Sequence, residues 1–340
     1  MSTTATTPPQ SNRAAAGILC VEAGMVFFVI QDVLMKTLLE THPVWNLIIV
    51  RSLVTLLLLT PVIFWLRGAH RILTPLWPLH LARAALLAAG FTLFYAAFPL
   101  MGLAEVTTIF FSAPLMTALL AALVLRETIG IHRIGALVVG FIGVIIAMNP
   151  TEFDWVTILP LTCALTYAIS QIIARQIGER ESPLTMGLQT ITYMGLMMLP
   201  LAWLVNTVLP IGPEFPHMRL DLPEETWRDL PQLLMLGVAG MIGWMLLSRA
   251  YQIANASLVA PFDYTYLPIA VLLGWLLFDE VPPFATIIGM MLIIASGLYV
   301  GFRELRAARK NDDDTVIAEA TFAPGAAIQP LEEPPEREAP

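Results

Sequence analysis

Asp32, Lys36, Arg51, Arg83 and Asp263 all lie inside runs of apolar residues. A charge in such a place costs a few kcal/mol or more, so each marks either a functional position or a buried pair. On a helix turning by about 100° per residue, Glu22, Asp32 and Lys36 fall within roughly 80° of one another, and that face must meet other helices or water. Asp32 and Lys36 are four residues apart, close enough to pair. Two readings stand: a self-neutralised pair with Lys36 reaching toward the interface, or a substrate contact. Arg51, about two turns into the next run, is expected to reach Asp32 and bridge two helices. Arg83 either extends its guanidinium to the membrane surface or anchors an anionic group such as a carboxylate. Asp263 stands between Pro261 and Pro268, beside Tyr264 and Tyr266. Prolines free backbone carbonyls, and broken segments of this kind are tolerated in membranes where they line a cavity. An acid there binds a cationic group or carries a proton, or else pairs with Arg249.

Tyr95, Tyr167, Gln171, Gln189, Tyr193 and Trp244 add polar or aromatic groups inside the same runs. Tyr167 and Gln171 are four apart and share a helix face. The candidate substrate-binding set is Asp32, Lys36, Arg83, Tyr95, Tyr167, Gln171, Trp244, Asp263 and Tyr264. No catalytic group, metal ligand or cofactor is expected, because His42, His70, His80, His132 and His217 all fall in or near loops. Cys20 and Cys163 each sit in an apolar run and read as packed thiols.

The elements that hold these residues follow from composition. The chain is 57% hydrophobic and 13% charged, whereas a soluble domain has about 25% charged residues. It is an integral membrane protein, and there is no basic patch to hold nucleic acid. A span needs roughly 20 apolar residues, which gives ten: 15–39, 43–66, 76–100, 105–125, 131–148, 155–177, 184–205, 230–252, 257–278 and 283–302. Residues 206–229, rich in Pro, Asp and Glu, read as a solvated loop with an amphipathic turn near Trp227. Residues 1–14 and 304–340, the latter Ala-, Pro- and acid-rich, read as disordered. Arg13, Arg67, Arg71, Arg126, Arg133, Arg175, Arg180 and Arg249 fall on one side, with the cluster at 303–310. Lys36, Arg219 and Arg228 fall on the other. The excess of Lys and Arg marks the cytoplasmic side, so both termini are expected inside, in a bacterial-type inner (plasma) membrane.

The chain also repeats itself. Pro114, Leu119, Leu123, Ile134, Gly135 and Gly143 recur 154 positions later as Pro268, Leu273, Leu277, Ile288, Gly289 and Gly297. A weaker echo at spacing 140 matches Gln31 and Pro43 to Gln171 and Pro183. Five spans per half is an odd number, so the second copy (150–303) enters the membrane inverted relative to the first (15–149). The fold expected is all-α, with ten transmembrane helices in two inverted five-helix repeats. Glu127 and Glu280 close the fourth and ninth spans and are expected to cap the following helix, with gating the second reading. Gly143 to Ala147 and Gly297 to Gly301 are small-xxx-small steps that bring helices close, within the chain or in a homodimer.

These features resemble the drug/metabolite transporter superfamily in its EamA-type branch. The resemblance rests on the two five-span halves and on the run Arg249-Ala250-Tyr251. It also rests on the stretch from Ser257 through Pro261-Phe262-Asp263-Tyr264-Thr265 and on Phe278-Asp279-Glu280-Val281-Pro282. In the first half Asp32 to Lys36, Pro43 and Arg51 resemble members proposed to move S-adenosylmethionine, riboflavin or amino acids. The resemblance implies a secondary transporter of a small organic metabolite, an amino acid or derivative such as S-adenosylmethionine, working by alternating access. A riboflavin-type vitamin carrier or drug exporter is the alternative within the fold. A membrane-embedded enzyme is the alternative outside it, and neither H-E-x-x-H nor G-x-x-x-x-G-K-[ST] is present.

Overall fold

The structure, a computed structural model, describes residues 10–65, 74–124, 130–149, 151, 154–178, 180–181, 183–208, 211, 215–220, 228–254 and 256–311. Among these every regular element is helical. In lipid a chain must satisfy its own backbone N–H and C=O groups, and a helix does so within a single segment.

The first half comprises α1 (Gln10–Leu38), α2 (Val44–Trp65), α3 (Trp77–Ala97), α4 (Leu103–Phe110), α5 (Ala113–Val124) and α6 (Ile131–Ala147). The second comprises α7 (Ile158–Gly178), α8 (Pro183–Val208), α9 (Leu230–Ile253), α10 (Ala256–Val259), α11 (Tyr266–Phe278) and α12 (Phe284–Asn311). Among the described residues nine helical segments are long and apolar enough to cross a membrane, and Ile131–Ala147 is a shorter apolar helix. Leu57, Leu123, Ile131, Val281 and Phe284 point outward, as suits a lipid-facing surface.

Several boundaries differ from expectation. α1 begins at Gln10 and α12 continues to Asn311, so helix extends into both segments read as disordered. The extension at 304–311 is made mostly of Glu, Leu, Arg, Ala and Lys, good helix formers even in water, and the one at 10–14 continues a run of alanines at 14–16. Residues 312–340 lie outside the described residues, as do Glu127 and Trp227. The fourth span breaks between Phe110 and Ala113, and the ninth passes through a 3-10 segment, Ala260–Thr265, before α11. The breaks fall at corresponding places in the repeat, each just before its proline, Pro114 or Pro268. A proline has no N–H for the carbonyl four residues back, so the regular ladder is interrupted there.

Packing follows a two-fold pattern. α1 lies against α9 and α3 against α7; α5 meets α7 and α1 meets α11; α2 meets α8, and α6 meets α12. Each contact is either its own image or the image of another when the halves are exchanged, as an inverted duplication requires. The α6–α12 contact is within the chain. A Cβ added at Gly143 would lie 2.8 Å from the Gly289 carbonyl and 2.8 Å from Leu292 Cβ. Gly297 and Gly301 pack instead on Tyr264 and Pro261 of the ninth span.

Among its described residues, the connection between α8 and α9 is more seated than a solvated loop. Pro216–Met218 forms a 3-10 turn with His217 and Met218 buried. Trp45 Nε1 donates to the Met218 carbonyl at 2.9 Å, and Asn206 Nδ2 donates to it at 3.2 Å. His217 Nε2 lies 3.1 Å from the Ala96 carbonyl. A carbonyl only accepts, so Nε2 carries the proton. The turn therefore covers the ends of α2, α3 and α8 on the face opposite the N-terminus, called the far face below.

Two outcomes follow. Gly143→Leu is expected to destabilise the protein by about 1–3 kcal/mol through overpacking, read as a lower Tm in detergent. Gly135→Leu, where nothing lies within 4 Å of an added Cβ, leaves Tm unchanged. Burial pushes the His217 imidazole below the ordinary histidine range, and the bond to Ala96 only partly opposes this. The stability that depends on neutral His217 is complete above the ordinary value near 6.5 and lost as pH falls through the lowered one. Tm is expected to drop between pH 7 and pH 5, with part of that drop absent in His217→Gln.

Candidate functional site

Asp32 is 3% exposed and sits in α1 at the centre of a hydroxyl cage. Its Oδ2 accepts the Tyr266 hydroxyl at 2.5 Å, and its Oδ1 accepts Tyr95 at 3.2 Å and Gln31 Nε2 at 3.2 Å. Tyr266 is the first residue of α11, so the break before Pro268 is what aims its hydroxyl at α1. Arg51 Nη1 donates to the Tyr95 oxygen at 2.9 Å. The expected bridge between Arg51 and Asp32 therefore runs through Tyr95. A carboxylate and a guanidinium share one phenol, which accepts from one and donates to the other. Arg51 also lies over the Phe91 and Tyr95 rings, 5.9 and 5.7 Å from their centroids, within cation–π range.

Lys36 does not pair with Asp32, although the two are one turn apart. Its ammonium donates to the carbonyls of Phe98 and Met101, each at 2.8 Å, and pairs with Glu280. The tyrosines already occupy Asp32, while the end of α3 leaves carbonyls open one turn higher. Glu280 is delivered there by local backbone geometry. Asp279 adopts a left-handed conformation (φ 54°) that ends α11, and the Glu280 amide returns to the Gly274 carbonyl at 3.1 Å. The Glu280 carboxylate then accepts the Leu103 amide at 2.8 Å, at the N-terminus of α4. Glu280 thus caps a helix of the other half, not the helix that follows it. The two halves are tied on the far face by Lys36, Glu280 and the first turn of α4.

A cavity of about 120 Å³ lies between the halves, with room for several water molecules. Its walls come from α1, α2 and α3 and from their repeat counterparts α7, α8 and α9. Phe28, Phe91, Phe94, Tyr95, Tyr167 and Trp244 give it an aromatic lining, and Asp32, Arg51, Gln31 and hydroxyls of α2 and α8 give it polar positions. Phe91 stands edge-on to Tyr167, with centroids 6.4 Å apart. The Trp244 indole lies over Gly187, where an added Cβ would come within 2.6 Å of the ring. Glycine is needed there for the indole to reach its place.

Of the residues singled out from sequence, Asp32, Tyr95, Tyr167 and Trp244 meet at this wall, and the other five lie outside it. Gln171 stands behind Tyr167 and donates to its hydroxyl at 3.1 Å. Lys36 belongs to the far-face cluster. Asp263 is fully buried in the 3-10 segment and accepts the Tyr251 hydroxyl at 3.3 Å. Its expected partner Arg249 is exposed and bonds Gln252 instead. Tyr264 packs on Gly297 and on Phe111, with ring centroids 5.6 Å apart. Arg83 does not reach the surface: it is fully buried and donates to Thr190 Oγ1 at 2.5 Å. Sequence reasoning missed Phe28, Phe91, Phe94, Ser52, Thr55 and Thr190 as wall residues. Aromatic and hydroxyl side chains are common in membrane helices, and nothing in their spacing marks these.

The sequence matches the EamA-like transporter family over residues 15–149 and again over 154–302. It is similar to a riboflavin transporter of Vibrio cholerae serotype O1, 27% identical over 85% of this chain and 93% of that protein. A riboflavin transporter of Rhizobium johnstonii is 29% identical over 68% of this chain and 72% of its own length. An S-adenosylmethionine uptake transporter of Rickettsia bellii is 27% identical over 68% and 75%. One crystal structure shares the fold with a TM-score of 0.57 at 14% identity, covering 86% of this chain and 99% of the other.

The far-face cluster makes a direct prediction. Lys36→Met leaves the Glu280 carboxylate largely buried without its cation and is expected to cost about 3 kcal/mol. In the double variant Lys36→Met/Glu280→Gln much of that loss returns. A double-mutant cycle of unfolding in detergent reads the coupling, and additive losses would dissolve the proposed tie.

Proposed function

The chain belongs to the EamA-like transporter family, and from that premise we propose that it carries a small organic metabolite with a flat ring system across the bacterial inner membrane. The observation that supports this most is the cavity between the two halves, with aromatic rings along its wall and a paired acid and base at one side. Aromatic walls favour planar heterocycles by offset stacking and edge contacts. Two of the relatives are named for riboflavin and one for S-adenosylmethionine, and both compounds contain such a ring. Within this reading Phe91, Tyr95, Tyr167 and Trp244 hold the ring, while Asp32, Gln31 and Arg51 meet its polar substituents.

Transport proceeds by alternating access, with the two repeats rocking about a site that stays between them. The Lys36–Glu280 tie holds the far face closed and must part for that face to open. With the Lys and Arg excess on the cytoplasmic side, both termini lie inside and the tie faces outward. The cavity as described is served by one chain.

Proteoliposomes containing the purified protein are expected to take up radiolabelled riboflavin or S-adenosylmethionine faster than empty liposomes. Trp244→Ala is expected to weaken apparent affinity roughly 3- to 10-fold, the worth of one aromatic contact. Flux of neither compound above the empty-liposome level would remove this reading.

A further inference from the structure

Among the described residues Arg83 is a cation without a counter-ion. It is fully buried, and among those residues only Nη1 has a partner, the Thr190 hydroxyl, while Nε and Nη2 have none. Among the described residues no acid lies within ion-pair distance of it. Glu181, an acid packed against this end of α3, is taken up by Thr74 and by His80, whose Nε2 stands 2.7 Å from it. Two other buried cations of the bundle are answered: Arg51 meets Asp32 through Tyr95, and Lys36 pairs with Glu280.

The position of this guanidinium matters as much as its charge. Leu87, one turn along α3, lines the cavity, and so does Thr190, to which Arg83 is bonded. Tyr167 of the cavity wall is within electrostatic reach. Arg83 therefore stands directly behind the wall where α3, α7 and α8 meet, on the side of the cavity nearer the N-terminus of α3. A buried unpaired charge is strongly unfavourable in a membrane and is retained where a ligand completes it. Two free donor directions on one planar guanidinium match the two oxygens of a carboxylate or phosphate.

We infer that Arg83 is the anion-recognition residue of this carrier, so that the transported metabolite bears a carboxylate or phosphate that displaces or shares Thr190 on binding. The inference rests on the metabolite-carrier reading above and narrows it to organic anions and zwitterions.

The test is isothermal titration of the purified full chain with two matched pairs: S-adenosylmethionine against its carboxamide, and flavin mononucleotide against riboflavin. In at least one pair the anionic member is expected to bind roughly 10- to 100-fold tighter. Which pair does so separates carboxylate from phosphate. Arg83→Gln is expected to bring that ratio below about threefold with the neutral member's affinity unchanged, and Arg83→Lys to keep part of it. Equal binding within both pairs, or a ratio that survives Arg83→Gln, overturns the inference while leaving a carrier of neutral metabolites. Binding of none of the four compounds removes the metabolite reading and this one with it. Arg83→Met supplies a readout independent of ligand. An unpaired guanidinium contributes little to folding, so Tm in detergent is expected to stay level or rise, and a fall of several degrees assigns Arg83 to structure instead.

Discussion

A carboxylate in the middle of a membrane bundle must be solvated by the protein itself, and much of this fold follows from how Asp32 is served. Its lone pairs are met by Tyr266 from the second half and by Tyr95 and Gln31 from the first. For Tyr266 to stand there the ninth span must stop being a regular helix, which Pro268 and the 3-10 segment before it accomplish. For Tyr95 to stand there α3 must lie close to α1, with Arg51 supplying the opposite charge from α2. The hydroxyls and amides that serve the acid point inward, and the helices bearing them leave the aromatic-walled space between the halves. Break, helix arrangement and cavity are parts of one solution to one desolvation problem.

The duplication is symmetric in backbone and asymmetric in chemistry. Helix contacts exchange cleanly when the halves are swapped, and both copies break before equivalent prolines. The side chains do not follow. At the repeat spacing of 140, Asp32 corresponds to Ile172 and Arg51 to Ile191. Gln31 lines the cavity, while its counterpart Gln171 stands behind a tyrosine. The first half supplies the charged pair, and the second supplies Trp244, Tyr167 and the closing hydroxyl of Tyr266. A symmetric scaffold can present different surfaces to two ends of an unsymmetric ligand only if the copies diverge in this way.

The parts legible in the sequence were those set by periodicity and composition. Apolar runs gave the spans, the repeat gave the inversion, and buried charge pointed to α1, where Asp32 does lie on the cavity wall. Side-chain partnerships were harder to read. A spacing of four placed Lys36 beside Asp32 on the same helix face, yet each found better partners elsewhere in the fold. Helix spacing reports only neighbours along one segment, whereas Tyr266 is 234 residues from Asp32. Asp263 and Tyr264 were singled out because prolines flank them. Those prolines shape the segment that delivers Tyr266, the residue two positions further on. The phenylalanines, serine and threonines of the wall on α2, α3 and α8 carried no signal, because such residues are ordinary in membrane helices and only assembly shows which of them face inward.

The long separation between Asp32 and its partners has a consequence for how the protein is made. α1 is synthesised first and carries an acid and a base into the bilayer. The hydroxyl at 266 and the carboxylate at 280 that satisfy them emerge only when the ninth span is complete. Until then Asp32 and Lys36 have only the partners of their own half, Tyr95 and Gln31 for the acid and the Phe98 and Met101 carbonyls for the base, and neither half alone holds the full set. A chain that ends before residue 280 lacks the carboxylate that pairs with Lys36, so the last spans complete the surroundings of the first.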